Sequence, residues 1–395
     1  MNAPDVLCLN CGSSSLKFSL YAMQAAGESL RHEGSVEGIG LEGGRLEIFD
    51  GIEKAHAEVS DGSSDHGAAL KRILDALHGR GCSTFAAAGH RVVHGGPDRS
   101  GPARIDSLLL DELRARVPTA PLHLPQELLV IDAMADRWPD LPQVACFDTA
   151  FHRRLPETAQ RFPLPRQLFD DGVRRYGYHG LSYEFVVETL AEASRGRVII
   201  AHLGHGSSLV ALQDGRPVDT TMGFTPTGGV MMATRSGDLD PGVLLQLLRR
   251  PGWDRERIDR LVNREAGLLG VSGSSADMRR LLELRRSDAR ADQAVSMFCR
   301  SVRKAIGALA SELGGLDLLV FTGGIGERAA PVRDEICRGL AYLGVRSSGA
   351  EAPAGPGRAG VGVRVIETQE NRIIARRTWG LVFGPGAQGT SAALP

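Results

Sequence analysis

Two stretches of this chain echo one another: VLCLNCGSSSLKFSL, from Val6 to Leu20, and VIIAHLGHGSSLVAL, from Val198 to Leu212. Each reads as a buried strand, a turn of glycine and serine, and a returning strand. In the first, Gly12, Ser13, Ser14 and Ser15 supply a tight turn whose N–H groups and hydroxyls can face an anion. In the second, Gly204, Gly206, Ser207 and Ser208 do the same. Aligning Asn10 with His202 separates the copies by nearly half the chain, which predicts an internal duplication of two α/β halves around one nucleotide.

A chain of 395 residues exceeds one ordinary core and fits two domains. The expected division is residues 1–148 plus 372–395 for one and 149–371 for the other. A net charge of −1 provides no global field for nucleic acid or a membrane surface, so any anion site must be a local group of arginines. No long apolar run or charged leader is read in the sequence, which gives a cytoplasmic expectation. The six cysteines are scattered among apolar residues, as core thiols are in a reducing compartment. Cys8 and Cys11 form a C-x-x-C without a second pair to complete a zinc site.

Apolar periodicity predicts strands at LKFSLY, GRLEIFD, Ala86 to Gly96 and VACFDTAFH. Helices are expected from His66 to Leu77, from Pro125 onward, and along a run ending at Leu313 before Gly314 and Gly315. LDLLVFTGGIGE reads as a strand, a glycine turn and a helix from Ala330, an arrangement that offers free N–H groups to phosphate. The segment from Val363 to Phe383 is expected to return as a strand and a helix, packing near the chain's start if the two halves interlock. Residues 347–362 and 384–395 read as a loop and a loose tail.

Arg91 lies inside an apolar strand and Arg235 in a loop of Gly, Thr and Ser. A guanidinium there needs an anion, either a bound substrate or a carboxylate such as Asp148 or Asp238. Histidines 94, 123, 152, 179, 202 and 205 stand near element ends. His90 and His94 fall on a strand, ~13 Å apart, too far to share a zinc ion. Asp148 and Glu370 each follow an apolar strand, where catalytic or metal-binding carboxylates often sit, although capping a helix or pairing an arginine is the plainer role.

Taken in order, NCGSSSLKF, GHRVVHGG, PLHLP, FDTAFH, YGYHGLS, HLGHGSS, DTTMGFTP, MMATRSGDLDP, SGSSADMR, FTGGIGE and ETQENRIIA resemble the acetate and propionate kinase family. The resemblance implies the duplicated ribonuclease-H-like α/β fold of acetate and sugar kinases, heat-shock ATPases and actin, with two domains around a central cleft, in a homodimer. It implies reversible transfer of the γ-phosphoryl group of ATP to a short carboxylate, with ADP as the other product. Asn10 and Glu370 stand at the family's Mg²⁺ site, where Mn²⁺ is an alternative. Ser15 and Lys17 match its ATP-facing hairpin. His202, Leu203, Gly204, His205 and Gly206, then Asp277, Met278 and Arg279, then Gly324, Ile325, Gly326, Glu327 and Arg328, match its nucleotide loops. Arg91 matches the carboxylate-binding arginine and Asp148 the active-site aspartate. His179 and Arg235 match the pair that stabilises the transition state, with His123 nearby. Val93, Leu122, Tyr178 and Pro226 match the pocket for the acyl chain.

The chain departs from the family's pattern at Leu124, His205, Thr227, Gly228, Val230 and Ala233, none of which removes a charged catalytic group, and also at Arg328, at Asn371, which replaces the second acid of the family's usual pair, and at Tyr178. His205 changes size and pH dependence at a phosphate-facing position, and Arg328 bears on the donor. The reading is an acetate kinase. The alternatives are propionate or another short acid as acceptor, pyrophosphate as donor, or a catalytically silent nucleotide-binding regulator. Tyr178 is expected to turn its hydroxyl into the acyl pocket and favour acetate. Nucleic acid and membranes are excluded as partners, leaving a small carboxylate and a nucleotide.

Overall fold

The computed structural model describes residues 3–12, 14–24, 27–40, 44–51, 53–59, 63–121, 123–346 and 360–384. Ser13, Leu122, the segment 347–359 and the tail from 385 lie outside the described residues. The chain forms two compact units, residues 1–151 with 369–395, and residues 152–368.

The first unit is built on β1 (Asp5–Cys11), β2 (Ser15–Gln24), β3 (Gly27–Glu37), β4 (Arg45–Asp50), β5 (Glu53–Val59), β6 (Ala87–Val92), β7 (Ala103–Arg104) and β8 (Gln143–Phe147). They make one sheet in the order β5-β4-β3-β2-β1-β6-β8-β7. β1 pairs antiparallel with β2 and parallel with β6, and β6 is parallel to β8. The centre of β1 and all of β8 are buried, as strands covered on both faces must be. On one face Leu70, Ile73, Leu74 and Leu77 of the helix His66–His78 join the core, at the spacing that periodicity predicts. The terminal helix Glu370–Phe383 packs on β6, β1 and β8. Its approach explains Gly89: a Cβ there would lie 2.5 Å from Ile374 Cγ2 and closer still to Thr378 Oγ1.

The second unit carries β9 (Arg197–Leu203), β10 (Ser207–Gln213), β11 (Arg216–Thr220), β12 (Leu318–Thr322) and β13 (Gly362–Val365), ordered β11-β10-β9-β12-β13. Again the first hairpin is antiparallel, β9 pairs parallel with β12, and β12 with β13. This repeats the order and directions of β3-β2-β1-β6-β8. The two echoed hairpins therefore occupy equivalent places in two copies of one α/β fold. The helix Ala289–Glu312 lays Val295, Phe298, Val302, Ile306 and Leu309 on this sheet, and Gly314, at φ 65°, follows its end.

Three expectations change. The strand and helix near the C-terminus do not travel together: β13 pairs with β12, and only the helix packs on β1 and β6. The glycine turn after β12 is itself helical, because a short helix, Gly323–Arg328, starts directly and a second, Ala330–Arg338, follows it. β3 was not expected, since its alternation of half-buried and exposed residues carries little apolar signal. All six cysteines are buried thiols. Among the described residues no helix is long and apolar enough to cross a membrane.

Candidate active site

In the first unit the chemistry gathers where β1, β6 and β8 end. Arg91, the penultimate residue of β6, turns its guanidinium onto Asp148, which directly follows β8 and whose N–H bonds to Val92 O at 3.0 Å. Arg91 Nε lies 3.1 Å from both Asp148 oxygens and Nη2 lies 2.5 Å from Oδ2. Arg91 Nη1 donates to Asn10 Oδ1 at 3.2 Å, and Asn10 Nδ2 donates to Glu370 Oε2 at 2.9 Å. Glu370 opens the terminal helix, where the dipole favours its charge, and stands 4.0 Å from Arg91 Nε. One guanidinium thus serves two carboxylates and an amide, and Asp148 is fully buried.

Asn10 and Glu370 present one amide oxygen and one carboxylate, hard oxygen donors of the type Mg²⁺ takes when phosphate and water complete its shell. Among the described residues no group of three His, Cys, Asp or Glu side chains could hold a metal alone. The donor set therefore fits Mg²⁺ arriving with a nucleotide, and not a dedicated protein cage.

Lys17 is exposed on β2 directly across from Asn10, and Ser15 begins that strand. The hairpin is closed by Gly12 N to Ser15 O at 2.8 Å and pinned by His66 Nε2 on Gly12 O at 2.8 Å. Val93 is buried one residue past β6, and its N–H meets the Glu127 carboxyl at 3.1 and 3.3 Å. His123 immediately precedes the helix Leu124–Arg137, which carries Glu127 on its first turn. Sequence reading passed over both His66 and Glu127. In Glu127's case the signal was an acid within an apolar helical face.

In the second unit His179 stands before the helix Gly180–Leu190 with φ 59° and ψ 26°, a left-handed backbone unusual outside glycine. Its Nδ1 bonds to Ser208 Oγ at 2.8 Å, and the same hydroxyl meets Tyr183 Oη. Its ring stacks on His202, with centroids 4.2 Å apart, and His202 Nδ1 lies 2.9 Å from Ser182 Oγ. A Cβ on Gly206 would sit 3.3 Å from His179 Nε2 and 3.4 Å from Arg235 Nη1, so both side chains crowd that backbone. Arg235 Nη1 also donates to Pro226 O at 3.1 Å. Burial, then the charge of Arg235, pulls the His205 imidazole below its ordinary range. His179, His202, Gly206, Arg235 and Pro226 are thus brought together.

The loops expected to serve a nucleotide divide. Leu203 ends β9, buried, and Gly204 lies beside the start of the Gly323–Arg328 helix, its Cβ position 3.9 Å from Gly324 N. Gly324 and Arg328 are exposed and Ile325 half-buried, while Gly326 is buried. Glu327 folds back instead: its Oε1 accepts from Gly323 N at 2.8 Å and Thr368 N at 3.2 Å. The first N–H of that helix, expected to face phosphate, is thereby already taken. Asp277 and Arg279 bond to one another, at 2.9 Å from Arg279 N to Asp277 Oδ1, and Met278 is buried in the core. Asp238 accepts from Gly229 N at 2.7 Å.

Tyr178 corrects the sequence expectation. Its ring is buried and its hydroxyl donates to Phe224 O at 2.8 Å, so the protein itself satisfies the phenol and the hydroxyl has no cause to turn into an acyl pocket.

Residues 5–376 match the model of the acetokinase family. The chain is 43% identical to an acetate kinase of Rhodopseudomonas palustris, over 96% of this chain and 98% of that protein. It is 41% identical to a propionate kinase of Citrobacter rodentium, over 94% of this chain and 95% of that one. The crystal structure of Porphyromonas gingivalis acetate kinase superposes with a TM-score of 0.82 at 35% identity, covering 96% of this chain and 100% of that one.

Proposed function

The chain belongs to the acetokinase family, and from that premise we propose that it transfers the γ-phosphoryl group of ATP to acetate, giving acetyl phosphate and ADP. The observation that carries the reading is the hydrogen-bonded cluster of Arg91, Asp148, Asn10 and Glu370, which joins a guanidinium to oxygen donors suited to Mg²⁺.

A carboxylate acceptor is ionised at neutral pH, so no base is needed to make the nucleophile. An acetate oxygen forms the new bond to phosphorus as the bond to the ADP oxygen breaks, and ADP departs with that electron pair. The obstacle is anion meeting anion, and the work is positioning and electrostatics. Arg91 holds the acceptor carboxylate. Asp148, both of whose oxygens accept from Arg91, orients that guanidinium and takes no proton. Arg235 and His179 neutralise charge on the transferring group, His179 being held by Ser208 and by its stack on His202. Mg²⁺, held by Asn10 and Glu370, would offset the charge of the nucleotide's phosphate oxygens.

Val93, Leu122, Tyr178 and Pro226 frame the acyl chain in this reading, and Ser15, Lys17 and the loops 202–206, 277–279 and 324–328 serve the nucleotide. Propionate is a second acceptor, favoured by the Tyr178 hydroxyl being engaged with Phe224. A cytoplasmic location accords with ATP as cosubstrate and with six reduced cysteines. The resemblance also favours a homodimer, for which the helix Pro241–Leu248 offers a face: it buries no residue and exposes Val243, Leu245 and Leu248. A monomer in sedimentation velocity would count against that assembly.

The test is an assay with ATP, Mg²⁺ and a panel of carboxylic acids, trapping acyl phosphate as hydroxamate. Acetate should give the highest kcat/KM, followed by propionate. No hydroxamate from any acid would remove the reading.

A further inference from the structure

Glu127 is a buried carboxyl for which the transfer chemistry above has no use. It is 2% exposed, on the first turn of the helix Leu124–Arg137, and its own N–H bonds to His123 O at 3.1 Å. Both its oxygens reach the N–H of Val93, at 3.3 and 3.1 Å. Val93 has just left β6, two residues beyond Arg91, so this N–H has no partner in the sheet ladder and would be buried unsatisfied without Glu127. The contact ties the strand end that carries Arg91 and Val93 to the helix start next to His123. A helix surface offers many apolar ways to pack on a strand. A carboxyl spent on one N–H fixes a single register.

We propose that Glu127 is a positioning residue of the acceptor site, holding Val93 and the end of β6 so that Arg91 and the acyl pocket keep their spacing. The inference rests on the acetate kinase reading, which supplies the acceptor. The groups facing Glu127 give it a second consequence. From β6 comes the Arg91 guanidinium, from beyond β8 the Asp148 carboxylate, and from the end of β1 the Cys11 thiol. Burial pushes the Glu127 carboxyl up to about 8, with Asp148 adding to the rise and Arg91 and the Val93 N–H opposing it. At neutral pH Glu127 therefore offers Val93 an uncharged acceptor and adds no further negative charge beside Arg91. Above that range it adds an anion beside Arg91, and acetate should bind less well.

The test measures kcat and both KM values for wild type, Glu127→Gln and Glu127→Ala between pH 6.5 and 9. Gln keeps an uncharged oxygen acceptor, so it should hold acetate KM within about twofold of wild type at pH 7. It should also abolish the rise in acetate KM expected of wild type above pH 8. Ala strips the acceptor from a buried N–H and should raise acetate KM roughly tenfold, with ATP KM and kcat within about threefold. If Ala fails to fold, the comparison of wild type with Gln decides alone. Identical pH profiles for those two would overturn the proposal, as would an Ala variant whose kcat and two KM values move together. A wild type that makes no acetyl phosphate would end both readings, whereas an active wild type without these differences would end only this one.

Discussion

The Arg91 guanidinium meets the Asp148 carboxylate along its Nε–Nη2 edge, with Nη2 2.5 Å from Oδ2 and Nε 3.1 Å from both oxygens. That edge is spoken for, so an acceptor held by Arg91, as proposed, would take the donors that remain, on Nη1 and on the second N–H of Nη2. Nη1 already touches Asn10. Arg91→Ala is expected to lower kcat at least roughly a hundredfold and raise acetate KM; Arg235→Ala should lower kcat by a similar factor with a smaller change in acetate KM. Near wild-type kinetics in either variant, with circular dichroism unchanged, would return that arginine to a purely structural role.

Tyr178→Phe removes the hydroxyl that Phe224 O accepts. The acetate to propionate ratio of kcat/KM should stay within about twofold, because the hydroxyl is engaged by Phe224 O, while stability should drop by about 1 kcal/mol for the lost bond. A ratio that moves tenfold or more would place the hydroxyl back in selectivity.

Gly206→Ala tests the second unit. The added methyl meets His179 Nε2 at 3.3 Å and Arg235 Nη1 at 3.4 Å, so both side chains must give way by tenths of an ångström. We expect kcat to fall roughly tenfold or more with little loss of thermal stability, since displacing groups proposed to act in the transition state affects rate before fold. Unchanged kcat would mean that neither side chain needs its present position.

Much of this could be read from local pattern, and the failures share a cause. The two hairpins were legible because apolar runs such as VLCL and VIIA flank Gly and Ser within fifteen residues. The helix before Gly314 was legible because steps of three and four recur along it. The partner of β13 was not legible because a strand's partner is non-local: nothing in GVRV says whether it pairs with β12 or travels with the helix that follows. Glu327 looked like part of a phosphate loop, yet an acid four residues after Gly323 can cap that residue's own N–H. Glu127 was overlooked because an acid in a helix ordinarily faces water, and only the burial of Val93 gives it a partner inside. Arg91 was placed in need of an anion on sequence grounds, and Asp148 was one of the two carboxylates considered.

Buried imidazoles set the acid limit of the fold. Burial draws the values for His90, His94 and His152 down to about 4, from an ordinary 6.5. Arg116 adds to the shift at His94. Between those values the unfolded chain takes up protons that the folded chain refuses, so stability falls as pH drops through that window. Glu127 has the opposite sign: folded, it keeps a proton up to about 8 that the unfolded chain releases near 4.5, so its contribution is lost as pH rises between them. The three imidazoles, with His205 shifted the same way, outweigh Glu127, and Tm should be lower at pH 5 than at pH 7 by at least roughly 4 °C. Glu127→Gln should steepen that fall. A Tm that is flat from 7 to 5 would contradict the assignment of neutral, buried imidazoles.

The central claim is direct transfer of phosphorus from ATP to the oxygen of acetate, and phosphorus NMR of one reaction mixture tests it most directly. Purified protein with ATP, Mg²⁺ and acetate should show the γ-phosphate signal of ATP decline as acetyl phosphate and ADP appear in equal amounts. The Arg91→Ala protein under the same conditions should slow both at least roughly a hundredfold. Loss of ATP with inorganic phosphate as the product from the outset, or no change in a folded wild-type protein, would contradict the account.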